Sequence, residues 1–395
     1  MTPRILLALA PVMLCAQNFT GRGFLEMRAT GYPQAAPGDS GRAIGEALLR
    51  FEPSYRITPA LRLAGAFDAR TDTHLQTERD ARLDWQDRSL RRPALSVRRL
   101  SLVYGRGGVT VELGKQFIRW GKADILNPTD RFAPRDFLSV VGNDFLAVAA
   151  ARVTVERSGN TLDAVFQPRF TPSRTPLLNQ RWTVLPEGIR LPEIGSRYPG
   201  AGQFGLRWNR VARGYEHSLS FFEGFNHLPL FDPVGFERFY PRMRMFGADA
   251  AVPLKWFTVK GESAWFTSRT KQADEYLQYV LQLERQSGEW SFVGGYSGEY
   301  VSNRRGLPGF SPDRGLTRAF LGRASYTIDT NRSVMAEAAI RRNGDGVWTR
   351  AEYTQAFGQH WRATAGFTLI RGSANDFLGQ YRRNSHAILS LRYSF

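Results

Sequence analysis

The sequence is poor in the residues from which most catalytic and metal centres are built. It has one cysteine, Cys15, and five histidines in 395 residues, which argues against a disulfide framework and a Cys/His-built metal site. No stretch approaches the ~18 consecutive apolar residues of a membrane-spanning helix. There is no Gly-rich phosphate cradle and no metal-ligand cluster, and no internal repeat, linker or low-complexity tract, so one domain is expected. Acidic residues are also scarce, 36 against 53 Lys and Arg, for a formal net charge of +17. Such an excess raises nucleic acid as a partner. No basic run interleaved with stacking aromatics is present to bind it, so nucleic acid is set aside.

What is present is alternation. In the last ten residues Ala387, Leu389, Leu391, Tyr393 and Phe395 fall on every second position, and His386, Ile388, Ser390, Arg392 and Ser394, polar apart from Ile388, lie between them. Successive strand side chains point to opposite faces, so one face is greasy and the other wet. The same pattern recurs in Leu61, Leu63, Gly65 and Phe67, in Phe204, Leu206 and Trp208, and from Trp290 to Tyr300. Aromatics at 13% and 38 glycines suit interface girdles and tight turns.

The N-terminus reads as a secretory signal, with Arg4 as the positive region and Ile5 to Leu14 as a short apolar core. Cleavage after Ala16 would leave residues 17–395 as the mature chain, without cysteine. From Phe19 onward the strand-like runs number about eighteen, with sixteen as the alternative count. Their connections alternate between short turns, such as Gly105–Gly108, Ser158–Asn160 and Arg213–Gly214, and long links, such as Arg70–Pro93, Arg119–Asp144 and Pro168–Gly200. That sorting predicts an all-β fold, a transmembrane antiparallel up-and-down barrel. Short turns and both termini would lie in the periplasm and the long loops outside.

Several stretches carry family resemblances. A chain closing on an aromatic strand that ends in Phe resembles the outer-membrane β-barrel proteins of Gram-negative bacteria. The resemblance implies barrel closure by that strand and recognition by the barrel-assembly machinery. The segment from Gly114 to Asp130, with Trp120, Gly121, Asp124, Asn127, Pro128 and Asp130, resembles the W-G-x-x-D…N-P-x-D loop of a broad, largely uncharacterised group of porin-like outer-membrane barrels. Chain size and the Gly114–Lys115–Gln116 strand end are more distantly similar to eighteen-stranded alginate-export channels.

Two loops draw attention on their residues alone. In the first, Asn127 is a good helix N-cap, Pro128 suits a first helical position and Asp130 complements the dipole. A short helical turn folded into the barrel would narrow it, which makes Trp120, Gly121, Lys122, Asp124, Asn127, Pro128 and Asp130 candidate constriction residues. Capping of the rim is the alternative. The second loop, Pro168–Gly200, is stiffened by six prolines. Alternation places Arg62, Arg207, Lys260, Arg323, Glu337, Arg350, Glu352, Arg362 and Arg392 on the inner wall. The inward charges as a whole are roughly balanced in sign. The net positive charge then falls to loops and strand ends, among them Arg169, Arg174, Arg181, Arg190, Arg304 and Arg305.

The expected function is an outer-membrane channel for passive passage of small hydrophilic solutes, anionic ones left open. Outer-membrane lipid and lipopolysaccharide are its expected neighbours. No cofactor or metal is implied. An export or envelope-assembly barrel passing a polysaccharide or lipid is one alternative. An outer-membrane hydrolase is the other, with His74, His217, His227, His360 and His386 as its only available histidine bases and no sequence context that arms them.

Overall fold

The structure, a computed structural model, describes residues 18–184, 192–306 and 310–395. The proposed signal segment, residues 1–16, lies outside them, as does Arg190. One antiparallel sheet dominates. Its wall strands are β1 Phe19–Gly31, β2 Ala43–Thr58, β3 Leu61–Asp72, β4 Leu95–Arg106, β5 Val109–Gln116, β6 Val148–Arg157, β7 Asn160–Gln167, β8 Gln203–Ala212 and β9 Tyr215–Phe225. They continue as β10 Arg242–Pro253, β11 Thr258–Thr267, β12 Glu275–Ser287, β13 Trp290–Asn303, β14 Ala319–Asp329, β15 Arg332–Arg341, β16 Val347–Phe357, β17 Trp361–Arg371 and β18 His386–Ser394. Each pairs with the next, and β1 also pairs with β18, Phe24 opposite Ser394 through Gly31 opposite Ala387. The sheet therefore closes into an eighteen-stranded barrel with no free edge. A further two-residue strand, Leu83–Asp84, lies parallel to the start of β4.

The barrel is inside out relative to a soluble protein. Met27, Phe246, Trp265, Tyr300 and Leu389 on the outward face are all at least half exposed, while inward Gln203, Glu262 and Gln278 are buried. Strand alternation forces this split: a residue and its sequence neighbour cannot share a face. A one-residue slip in register would turn inward charges such as Asp163 and Glu262 onto the apolar outer face, so register is firmly set.

At one end the strands are joined by tight turns, for example at Gly107–Gly108, Ser158–Gly159 and Gly358, where positive φ angles reverse the chain. Phe19, the first residue of β1, and the C-terminal Phe395 lie at that same end, Phe395 exchanging backbone hydrogen bonds with Gly23 at 2.9 and 3.0 Å. Long loops occupy the other end: L1 (32–42), L2 (73–94), L3 (117–147), L4 (168–202), L5 (226–241), L6 (268–274), L7 (304–318) and L9 (372–385). L8 (342–346) is the one short link at this end, around Asn343–Gly346, and the other connections alternate in length around the barrel.

The apolar core sits inside the lumen, where loops meet wall. In one cluster Ile118, Trp120 and Phe132 of L3 pack on inward Val165, Phe222, Met245 and Phe266. A second joins Leu126 and Val140 of L3, Trp182 of L4 and Leu378 and Tyr381 of L9 to inward Leu321, Trp348 and Ile370. Fully burying a large apolar side chain is worth roughly 1.5–3 kcal/mol, enough in sum to hold loops in place that would otherwise be solvated.

Candidate pore and its constriction

L3 leaves β5 and turns into the barrel. Gly114, in β5, and Gly121, just past the aromatic pair Phe117 and Trp120, have φ of +121° and +94°. From there the loop is pinned to the wall by one carboxylate. Glu262, inward on β11 and 2% exposed, accepts the backbone N–H groups of Lys122 at 3.0 Å, Ala123 at 3.1 Å and Thr129 at 2.9 Å, with the Thr129 hydroxyl also at 2.9 Å. A carboxylate has acceptor sites for all four and no donor to conflict with them.

The wall is shaped to receive the loop. A methyl group added at Gly205 would collide with the rings of Phe132 and Trp120, and one at Gly247 would come within 2.7 Å of Thr129. A methyl on Gly121 would lie 2.7 Å from both Glu262 carboxylate oxygens. Glycine at these three positions is what permits the close approach.

Asn127–Pro128 forms a turn rather than a helix. Asp130 N–H reaches the Asn127 carbonyl at 3.3 Å, and the Asn127 side-chain amide donates back to the Ala123 carbonyl instead of capping forward. Glu262 takes the Thr129 N–H that a helix would have left for an N-cap. Asp130 is buried, bound by the Arg119 guanidinium and accepting from the Trp120 N–H at 3.1 Å. Burial pushes its carboxyl up, against the pull of Arg119. The Trp120 indole donates to Asp163 of β7 at 3.0 Å.

Of the seven residues singled out in this segment, Trp120, Asn127, Pro128 and Asp130 are buried anchors. Gly121 and Lys122 face the turn-end vestibule, where Lys122 Nζ contacts Glu216 at 2.5 Å and Asn209 at 3.1 Å. Asp124 is held by Lys260 at 2.9 Å and by Gln282. The wall set is mostly paired: Arg207 with Asp249 at 3.1 Å, Lys260 with Glu284 at 2.6 Å, Arg323 with Glu337 at 3.9 Å, Arg350 with Glu352, and Arg392 with Glu26 at 2.5 Å. Arg62 stands opposite Val103 and Arg56, and Arg362 opposite Arg392, toward the turn end.

The open part of the lumen runs on the other side of L3. A cavity of about 460 Å³ separates residues 125–144 of the loop from the inner faces of β1, β2 and β15–β18. Four basic side chains, Arg28, Arg92, Arg135 and Arg350, and four acidic ones, Glu46, Asp144, Glu337 and Glu352, line it. Apolar Ile125, Phe137, Val140, Trp348 and Leu378 complete the lining, and the buried indole N–H of Trp348 finds no hydrogen-bond partner there.

Loops L2, L3 and L4 are locked together beside this cavity by an ion chain that no local motif announces. Arg92 binds Glu46 at 3.0 Å and Asp136 at 2.9 Å. Arg174 joins Asp136 at 3.2 Å to Asp87 at 2.6 Å, and Asp87 meets Lys115 at 2.5 Å. Burial would raise the Asp136 and Asp87 carboxyls, but the Arg92 and Arg174 charges and, at Asp87, Lys115 outweigh it and hold both below the usual range. Arg174 and Arg181, expected at the basic mouth, are buried instead, Arg181 giving its guanidinium to the carbonyls of Gly41 and Gln34. A loop that folds inward must carry its cations with it, and Arg92, Arg174 and Arg181 are each matched by carboxylates or carbonyls.

Two histidines serve the same docking. His74 meets Asp39 at 2.5 Å, and His227 faces the Thr171 carbonyl at 2.8 Å and the Arg131 carbonyl at 2.7 Å, tying L5 to L3 and L4.

No protein-family model matches the chain, and no curated protein sequence does. Solved structures do. It resembles a BenF-like porin from Pseudomonas fluorescens Pf-5 at a TM-score of 0.58 and 10% identity, covering 96% of this chain and 98% of that one. For Acinetobacter baumannii OccAB4 the TM-score is 0.56 at 8% identity, over 96% and 98% of the two chains. For Pseudomonas aeruginosa OccK3 (OpdO) it is 0.55 at 11% identity, over 97% and 98%. The chain has the fold of the Gram-negative outer-membrane porins, a closed antiparallel barrel of eighteen strands.

Proposed function

We propose that the protein is an outer-membrane channel for passive passage of small hydrophilic solutes, with L3 as its constriction and the long loops facing outside. The observation that carries this reading is the inward fold of L3, which fills one side of the lumen and leaves a cavity of about 460 Å³ on the other. Balanced charge around that cavity favours small solutes of mixed polarity over a strong preference for anions. Near the narrowest part, low-dielectric walls concentrate the local field, so the matched signs there matter more than the +17 of the whole chain.

Planar-bilayer recording of the purified barrel tests the reading. Replacing Ala123–Arg135 by a short Gly-Ser link should raise single-channel conductance several-fold while reversal potentials in a salt gradient stay near zero. A parent barrel that conducts no ions, or a deletion that leaves conductance unchanged, contradicts it.

A further inference from the structure

On the outward face of β9–β13, at the long-loop end, two successive rows differ in chemistry. Register sets Phe221, Phe246, Trp265, Leu277 and Tyr300 side by side. Two residues onward, about 7 Å closer to the loops at ~3.3 Å per residue, the same face continues as Glu223, Arg244 and Thr267, with Glu275 opposite Asn303. Arg242 follows beyond Arg244. An aromatic row marks a membrane interface, so the charged row lies at headgroup depth.

The charges there are arranged rather than scattered. Arg242 and Arg244 each donate one Nη2 to a different oxygen of Glu223, both at 2.9 Å. Arg305 lies 3.2 Å from Glu275. Glu223 thereby holds two guanidiniums in fixed positions while using one nitrogen of each. The Arg242 and Arg244 side chains remain 50% and 38% exposed, and Arg244 Nε has no hydrogen-bond partner. A shallow cleft of about 190 Å³ opens between Arg242, Arg244, Ser268, Arg269 and Glu275. Arg269 makes no ion pair among the described residues. Three guanidiniums, Arg242, Arg244 and Arg269, thus share this cleft with two carboxylates, Glu223 and Glu275, on a surface that touches lipid.

We infer that this sector binds the phosphate monoesters of lipopolysaccharide in the outer leaflet, with Arg242, Arg244 and Arg269 as ligands and the aromatic row against the acyl chains. A phosphate monoester carries about −1.5 to −2 charges and three strong acceptors, and guanidinium forks match it in geometry as well as sign. The inference rests on the outward placement of the long loops proposed above.

The test measures binding of the purified, detergent-solubilised barrel to four probes: lipopolysaccharide, its dephosphorylated form, phosphatidylglycerol and inorganic phosphate. Lipopolysaccharide should bind at least tenfold tighter than each of the others. R242Q/R244Q/R269Q should lose at least tenfold of that affinity, and R106Q/R157Q/R213Q, at the turn end, should lose none. Equal binding of the dephosphorylated form, of phosphatidylglycerol or of inorganic phosphate overturns the assignment, as does unchanged binding by the first triple variant. Orientation is read separately in a Cys15→Ser background. Val234→Cys should react with an impermeant maleimide on intact cells and Lys255→Cys should not, and the reverse result overturns the orientation and the site together. Single-channel conductance of both triple variants should equal that of the parent, so a failed channel reading is seen independently of lipid binding.

Discussion

Glu262→Gln isolates what holds L3 inside the lumen. The substitution keeps side-chain shape but turns one carboxylate oxygen into an NH2 group. The NH2 group is best placed on the Thr129 side, because the Thr129 hydroxyl can turn round and accept from it, and only the Thr129 N–H then confronts another donor. Leaving one buried donor unsatisfied costs about 1–3 kcal/mol of L3 docking. At roughly 1.4 kcal/mol per tenfold, the docked form loses between about five-fold and a hundred-fold of its advantage over an undocked loop. The barrel itself is untouched, because the β10–β11 and β11–β12 ladders do not use this side chain. E262Q should therefore remain heat-modifiable and membrane-embedded. Its single-channel records should show new, larger conductance levels and added open-channel noise in planar bilayers. Wild-type conductance and noise in E262Q would refute the reasoning and leave the Trp120–Phe132 aromatic contact as the anchor.

Gly205→Leu should act on the same loop from the wall side: its side chain would occupy the space of the Phe132 and Trp120 rings, so conductance should rise with little change in barrel yield. Unaltered conductance would show that L3 can shift aside without opening the lumen. The pH response follows from Asp136 and Asp87, whose depressed carboxyls contribute stability above the ordinary aspartate range and lose it only as pH falls through their lowered values. Loop proteolysis rates should accordingly be flat from pH 7 to about 4. In Arg92→Gln burial of Asp136 is less opposed, and acid sensitivity should move to higher pH; a flat profile in that variant would contradict the ion-chain account. Deleting Phe395 removes the pairing with Gly23 and the ring that lies over it. Assembly should fall severalfold, measured as heat-modifiable protein in the membrane fraction, and normal assembly would count against closure through this residue.

The sequence by itself determined the barrel. Alternation in runs such as Trp290–Tyr300 and Ala387–Phe395 divides every strand into a greasy and a wet face, and turn residues such as Gly107–Gly108 and Gly214 divide the connections into short and long. Both signals are local, carried by neighbours one or two positions apart, and local patterns survive in a single sequence. The inward direction of the L3 segment is consistent with its Trp120–Gly121 hinge, but the manner of its docking was not legible. Lys122 and Glu262 are 140 residues apart, and Arg174 finds Asp87 across 87. Barrel closure alone brings such residues together. Gly205 and Gly247 were the one available hint, inward glycines in strands where a side chain would be expected unless another part of the chain came close. The charge balance of the pore was likewise decided in three dimensions. Arg174 and Arg181 count toward the net +17, yet closure buries them among carboxylates and carbonyls, so the charge facing the lumen is not the charge of the chain.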